Sequence, residues 1–527
     1  MRRGFRWEVP ARYNIASDVL DKHDPDRLAM LWEDWQGRER RLSFGDLQRL
    51  TNQAANVLAG CNVERGDRVA VMLPPTPESA ATFLATYKLG AILLSLSILY
   101  GDDAIVHRLR DSGAKVLVTD AANRSRIETL GNQIPELERI LVLGEDYDRA
   151  LAAASDRFET ADTAADDPAQ LYYSSGTTGL AKGILHAHRY LLAHTEFEFV
   201  HDVRDDEVFH STGEWAWIAG IVPGILAPWR LGAPIAVFAR EGGYDPRQTL
   251  ALLEKHRVRN LFTTPTALRA MAALGDVSSQ YPGISLRVAC SAGEPLNPEV
   301  IRWFESQFGL QVFDYYGLTE SYPLCANFPT VDVRLGSMGK PMPGWEVALL
   351  DENEQEVPQG ELGEICLKAR SNPHYPLGYW QRPEATEEDF GGEWFHTKDV
   401  ARQDEDGYVW YEGRNDDVII SAGYRIGPFE VESAMVEHPL VVEAAAVGSP
   451  DERRGHIVKG FVKLAAGIEP SEALAAEIQA HVRTRLGAWA YPREVEFVED
   501  LPKTLTGKIR RLELREREAT RAPGPAG

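Results

Sequence analysis

Four short segments carry residue types suited to nucleotide chemistry. The first is Tyr172-Tyr-Ser-Ser-Gly-Thr-Thr-Gly-Leu-Ala-Lys-Gly183. Its glycines (Gly176, Gly179) let backbone approach an anion, and Ser174, Ser175, Thr177, Thr178 and Lys182 can donate to phosphate oxygens. The spacing is not that of a Walker loop, which places four residues between its first glycine and a Gly-Lys pair. The second is Asp314-Tyr-Tyr-Gly-Leu-Thr-Glu-Ser321, where an aromatic beside a glycine suits stacking on a ring. Thr319 and Glu320 add a hydroxyl and a carboxylate for phosphate and Mg2+. The third, Trp394-Phe-His-Thr-Lys-Asp399 with Arg414 close behind, pairs an Asp with an Arg that could bind ribose hydroxyls. The fourth, Pro502-Lys-Thr-Leu-Thr-Gly-Lys-Ile-Arg-Arg511, offers Lys508 as a cation. Each has an ordinary explanation when taken alone: a polar turn, a strand end with buried tyrosines, a solvated Asp, a solvated basic tract. Their joint occurrence, in one order across a long chain, is what overturns those explanations.

Something must position these segments. Val69–Leu73, Lys115–Thr119, Ile140–Leu143, Ile235–Phe238 and Asn260–Thr263 read as strands, separated by amphipathic stretches such as Pro77–Leu89 and Pro246–His256. Such alternation predicts an α/β fold: a large N-terminal domain of parallel-rich sheets layered with helices. After about residue 414 the pattern changes to strand-like Glu443–Val447 and Val458–Val462, a helix near Ser471–Leu486 and a strand at Val495–Val498. This reads as a small, mobile α+β domain. The polar junction Gly413-Arg-Asn-Asp-Asp417 divides the chain into residues 1–414 and 415–527.

The 527 residues are 44% hydrophobic and 26% charged, an ordinary globular composition that excludes disorder and coiled coil. A net charge of −23 repels phosphate backbones, so nucleic acid is not an expected partner. The longest uncharged apolar stretch, Trp215–Trp229, is too short to span a membrane and holds Pro223 and Pro228. Four scattered cysteines argue against a zinc site and a disulfide scaffold, and fit a reducing, cytoplasmic setting.

With Ser291-Ala-Gly-Glu-Pro-Leu-Asn-Pro298 and Ser421-Ala-Gly-Tyr-Arg-Ile-Gly427, the four segments resemble the adenylate-forming superfamily of acyl-CoA synthetases. The likeness runs over about residues 10 to 515, and the medium-chain acyl-CoA ligases are the most similar members. The resemblance implies two half-reactions, with ATP, Mg2+ and coenzyme A. A carboxylate attacks the α-phosphate to give acyl-AMP, and the CoA thiol then displaces AMP. It places Ser174 to Lys182 on the β- and γ-phosphates and Tyr316 on adenine, with Asp314, Tyr315, Gly317 and the Gly293-Glu294-Pro295 turn around the nucleotide. Thr319 falls at the α-phosphate, Glu320 on Mg2+, and Asp399 and Arg414 at the ribose. Lys508 is the implied adenylation lysine. It neutralises the charge that builds when an anionic carboxylate attacks an anionic phosphate. A rotation about Asp416 would then bring Gly423 and Tyr424 to the pantetheine channel and take Arg425 away from phosphate.

Acetate-using relatives carry Trp where this chain has Gly317, so the acid is expected to be bulkier than acetate and hydrophobic. Trp215, Trp217, Thr264, Gly293 and Gly317 are the expected pocket residues, although the tryptophans can equally be core. The chain departs from the family pattern at Ala181 (for Pro), Lys398 (for Gly) and Glu214 (for Asp). Two of these fall beside ATP, so adenylation can be weak and the acyl-AMP supplied by a partner adenylating enzyme. Acyl loading onto a carrier protein, non-catalytic binding of an acid or adenylate, and a homodimer also remain open.

Overall fold

The computed structural model describes residues 5–173, 181–368, 370, 372–421, 424–451, 454–487, 490–504 and 508–520, without the side chain of Arg425. Ser174, Ser175, Gly176, Thr177, Thr178, Gly179 and Gly423 lie outside the described residues, as does the Arg425 side chain.

Strands that are apolar on both faces form two large sheets. In the seven-stranded sheet, Pro168–Tyr173, Ile92–Ser95, Arg68–Met72, Val116–Asp120 and Arg139–Leu143 run parallel. Gly183–Ala187 and Gly378–Tyr379 extend one edge antiparallel. In the nine-stranded sheet, six consecutive strands run parallel: Val312–Leu318, Val288–Ala292, Asn260–Thr263, Phe209–Ser211, Ile235–Ala239 and Leu28–Asp34. Helices with legible starts cover both sheets. Thr76 accepts from the Ser79 amide ahead of Pro77–Lys88, and Asp245 caps Pro246–Lys255, each with proline in the first turn.

The alternating pattern predicts these parallel sheets but not the third. Glu346–Leu350, Gly363–Lys368, Phe395–Gln403 and Val409–Arg414 form a four-stranded antiparallel sheet. Its connections are short, and no helical period separates most of its strands, so the reading for the sheets around it does not extend to it. A five-stranded sheet uses only residues from Ile419 to Phe497. There Val441–Asp451 and Gly455–Leu464 pair antiparallel, flanked by helices Pro428–Val436 and Glu472–Leu486. Among the described residues no helix is long and apolar enough to cross a membrane.

Candidate active site

The site lies at the carboxyl ends of the central strands, where parallel sheets present their ligands. Side chains alternate along Val312–Leu318, so Asp314 and Tyr316 share one face and Tyr315 takes the other. Tyr316 donates its hydroxyl to Asp399 Oδ2 at 2.5 Å, across 83 residues of chain. Tyr315 does not join it. Its ring packs in the core against Phe262 and Tyr322, with the hydroxyl 3.2 Å from His201 Nε2. Asp314 is buried with Oδ1 unpartnered, and burial pushes its carboxyl well above the ordinary range. Such an acceptor suits a donor brought by the ligand.

Asp399 and Arg414 face each other on adjacent strands, Oδ1 to guanidinium 3.6 Å apart. Burial raises the Asp399 pKa, while Arg414, the Tyr316 hydroxyl and the charge of Lys508 pull it back. Lys508 is thus close enough for its charge to be felt at Asp399. It sits on a tight turn: its amide donates to Thr504 Oγ1 (3.1 Å), and Lys503 pairs with Ile509 beside it. Lys398 keeps the left-handed backbone that a glycine would supply there, φ +62°, and its side chain is exposed. The substitution points to solvent and leaves Asp399 in place.

Glu320 is raised in pKa first by burial, then by the neighbouring charges of Asp389 and Asp399, with Arg414 opposing. Lys182 leans over the Tyr379 ring (4.7 Å) towards Asp389 (3.8 Å). Cations and carboxylates thus converge as a phosphate–metal site requires, and the donor set, oxygen from Glu320 and a Thr319 hydroxyl, fits a hard cation such as Mg2+. The Thr319 carbonyl is fixed by two buried imidazoles, His186 Nε2 at 2.9 Å and His374 Nε2 at 3.2 Å; burial holds His186 down at about 3, hence neutral. Ala181 gives its carbonyl to His107 Nε2 at 2.7 Å, which anchors the loop end where proline is missing.

The expected pocket residues do not all meet. Glu294 is spent on Thr266 (2.9 Å) and Arg269 (2.7 Å), which holds the turn through Pro295, while Gly293, at φ +97°, faces open space. Thr264 caps helix Pro265–Ala272. Trp215 walls an apolar cavity of about 70 Å³ with Phe83, Leu96 and Val237, whereas Trp217 packs edge-on to Tyr100. Glu214 accepts from Ser97 at 2.5 Å. The room expected behind Gly317 is taken. A Cβ there would come within 2.4 Å of the Tyr322 ring, so Tyr322 occupies much of the volume a missing indole was expected to open. Asp416 and Tyr424 are exposed, the first in the turn between the sheets and the second on Tyr424–Ile426.

Sequence reasoning missed His186, His374, Tyr379, Asp389 and Tyr322. None lies in a motif with local spacing; Tyr322, two residues beyond Glu320, was nearest to being found.

Comparison with known proteins adds to this geometry. Residues 19–380 match the family model described as AMP-binding enzyme, and residues 430–508 match the AMP-binding enzyme C-terminal domain. Acetyl-coenzyme A synthetase of Bacillus subtilis (strain 168) is 37% identical over 522 residues, 96% of this chain and 90% of its own. Mitochondrial acyl-coenzyme A synthetase ACSM3 of Mus musculus is 37% identical over 546 residues, 98% of this chain and 93% of its own. Among solved structures, the anthranilate CoA ligase AuaEII in complex with anthranoyl-AMP superposes with a TM-score of 0.90 at 31% identity, covering 97% of this chain and 98% of that one.

Proposed function

The chain belongs to the AMP-binding enzyme family, as an AMP-forming acid–CoA ligase that uses ATP, Mg2+ and coenzyme A, and on that premise we propose that its acid is hydrophobic and limited in reach by Tyr322. The observation that carries this reading is the close approach of the Tyr322 ring to Gly317, one residue from Tyr316. The apolar cavity walled by Trp215, Phe83, Leu96 and Val237 favours a hydrocarbon or aryl group over a charged one.

In the first half-reaction the acid carboxylate attacks the α-phosphate and pyrophosphate leaves. Tyr316 and Asp314 hold the adenine and Asp399 takes the ribose hydroxyls. Lys508 offsets the charge that develops at the α-phosphate, and Glu320 would hold Mg2+, whose charge would shield the phosphates. In the second, the C-terminal part turns about Asp416, Lys508 withdraws, and Tyr424 approaches the channel through which the CoA thiol reaches the acyl carbonyl. Both half-reactions are complete in this chain. The exposed Lys398 and the anchored Ala181 carbonyl support that over a partner adenylating enzyme.

A split assay over straight-chain and aryl acids tests the reading. One arm follows pyrophosphate release; the other follows thioester formation from synthetic acyl-AMP and CoA. Both arms are expected to work, with Lys508→Ala silencing the first by more than a hundredfold and sparing the second. Tyr322→Ala should move the preferred acid to longer chains by roughly tenfold or more in kcat/KM, since each methylene in such a pocket is worth about 1–3 kcal/mol. Wild type working only in the second arm would overturn the complete-ligase reading. An unchanged acid ranking in Tyr322→Ala would remove Tyr322 from the pocket.

A further inference from the structure

On the antiparallel sheet, Cys366 and His396 are direct cross-strand partners on Gly363–Lys368 and Phe395–Gln403, the second of which also carries Asp399 three residues beyond His396. Cys366 Sγ lies 3.3 Å from His396 Nδ1, and Glu364 Oε2 lies 3.6 Å from the same nitrogen. One ligand atom from each residue falls within 4.8 Å of the others. A tetrahedral zinc with thiolate, imidazole and carboxylate ligands places its donors roughly 3.3–3.6 Å apart along the edges, given metal–ligand distances of about 2.0–2.3 Å.

We propose that Cys366, His396 and Glu364 form a binding site for a thiophilic divalent cation, Zn2+, with a fourth position open to water. Thiolate with imidazole selects Zn2+ over the hard, oxygen-loving cations. The site is separate from the expected Mg2+ position at Glu320, which offers only oxygen.

The surroundings supply a second and independent argument. A metal-bound imidazole gives its other ring N–H to a carboxylate, and a bound carboxylate is itself hydrogen-bonded. The other nitrogen of His396, Nε2, has Glu354 Oε1 at 3.7 Å, within ion-pair range and just beyond a hydrogen bond. Glu364 keeps its other oxygen, Oε1, on the Lys398 amide at 2.8 Å. Nδ1 and Oε2 are thereby the atoms left towards the thiol. Glu364 and Cys366, two apart on one strand, share a face of the sheet, and the register shift between them sets His396 opposite Cys366. Scattered cysteines argue against zinc when only sequence spacing is available. Here the ligands come from facing strands, with Cys366 and His396 30 residues apart.

Binding replaces the thiol proton by the metal, so a proton is released to buffer and no redox change is involved. The test is titration of metal-free protein with Zn2+, followed by dialysis and metal analysis, with Co2+ as a spectroscopic stand-in. One Zn2+ per chain is expected, and the Co2+ form should show a thiolate-to-metal charge-transfer band. Cys366→Ser should abolish that band. His396→Gln, at the half-exposed rim, should lower affinity by more than a hundredfold, and Glu354→Gln by about tenfold. Near-native circular dichroism and melting of His396→Gln keep the result interpretable if Cys366→Ser does not fold. Absence of saturable binding at micromolar Zn2+, or binding that persists unchanged in His396→Gln, overturns the proposal.

Discussion

At the residue scale, Tyr316→Phe separates the two roles proposed for Tyr316, a ring stacked on adenine and a hydroxyl bonded to Asp399. The ring remains for adenine, while Asp399 loses its 2.5 Å donor and keeps only the 3.6 Å contact with Arg414. A hydrogen bond to a carboxylate contributes about 1.5–3 kcal/mol, so KM for ATP should rise by roughly tenfold or more. The pH profile moves with it. Burial already raises the Asp399 pKa, and removing a group that lowers it raises it further. Ribose hydroxyls need the ionised carboxylate, so activity should fail at a higher pH on the acid side than in wild type. Steady-state kinetics from pH 5 to 8 would show this; an acid limb in the same place means that Asp399 does not limit nucleotide binding.

At the element scale, the segment that carries Lys508 is fixed from behind. Helix Arg511–Ala519 begins with Arg511, which donates to both oxygens of Glu432 at 2.8 and 2.6 Å. Glu432 Oε1 also takes the Ala446 amide at 2.9 Å, so helix, strand and C-terminal helix are tied through one buried carboxylate. Arg515 adds Asp417 at 2.5 Å, reaching the turn at Asp416. Arg511→Met strands the Glu432 charge, a change that costs about 3–5 kcal/mol. Hydrogen exchange should accelerate across residues 428–518 and leave the parallel sheets protected. Uniform acceleration over the whole chain would contradict separate stability of the two parts. None of this network was legible in the sequence, because Glu432, Asp417 and Arg511 look like ordinary solvated charges until the fold pairs them. The strands were legible wherever local pattern sufficed: Asn260–Thr263 matches its expected limits, and Val69–Leu73 is shifted by one residue. Motif residues such as Tyr316, Asp399 and Lys508 were legible through their types and order. The filling of Gly317 by Tyr322 was not, since a missing side chain says nothing about which neighbour takes its volume.

At the scale of the molecule, the joint between the two parts holds a carboxyl whose affinity for a proton is raised by burial. Glu412, two residues before Arg414, is buried against Gly427 and Glu430, which lie beyond the hinge turn. Its Oε1 accepts from Arg402 at 2.8 Å, while Oε2 has no partner. Burial first, then the Glu430 charge, push Glu412 up to about 7, with Arg402 opposing. A carboxyl held neutral here and ionised once the small part turns away makes this arrangement a proton-binding one. Its advantage is complete below the ordinary Glu range near 4.5 and is lost as pH rises through about 7. Between those limits each pH unit should shift the equilibrium towards the turned arrangement by up to about tenfold. Electron–electron distance measurements between spin labels on the two parts should therefore show a second population growing from pH 5 to 8 in wild type. Glu412→Gln, neutral at every pH, should hold the first arrangement throughout that range. A pH response that survives unchanged in Glu412→Gln would place the linked proton elsewhere. On the proposed mechanism, in which Lys508 serves adenylation and withdraws for thioester formation, the same proton would favour adenylation on the acid side and thioester formation on the alkaline side, within one chain and without an added effector.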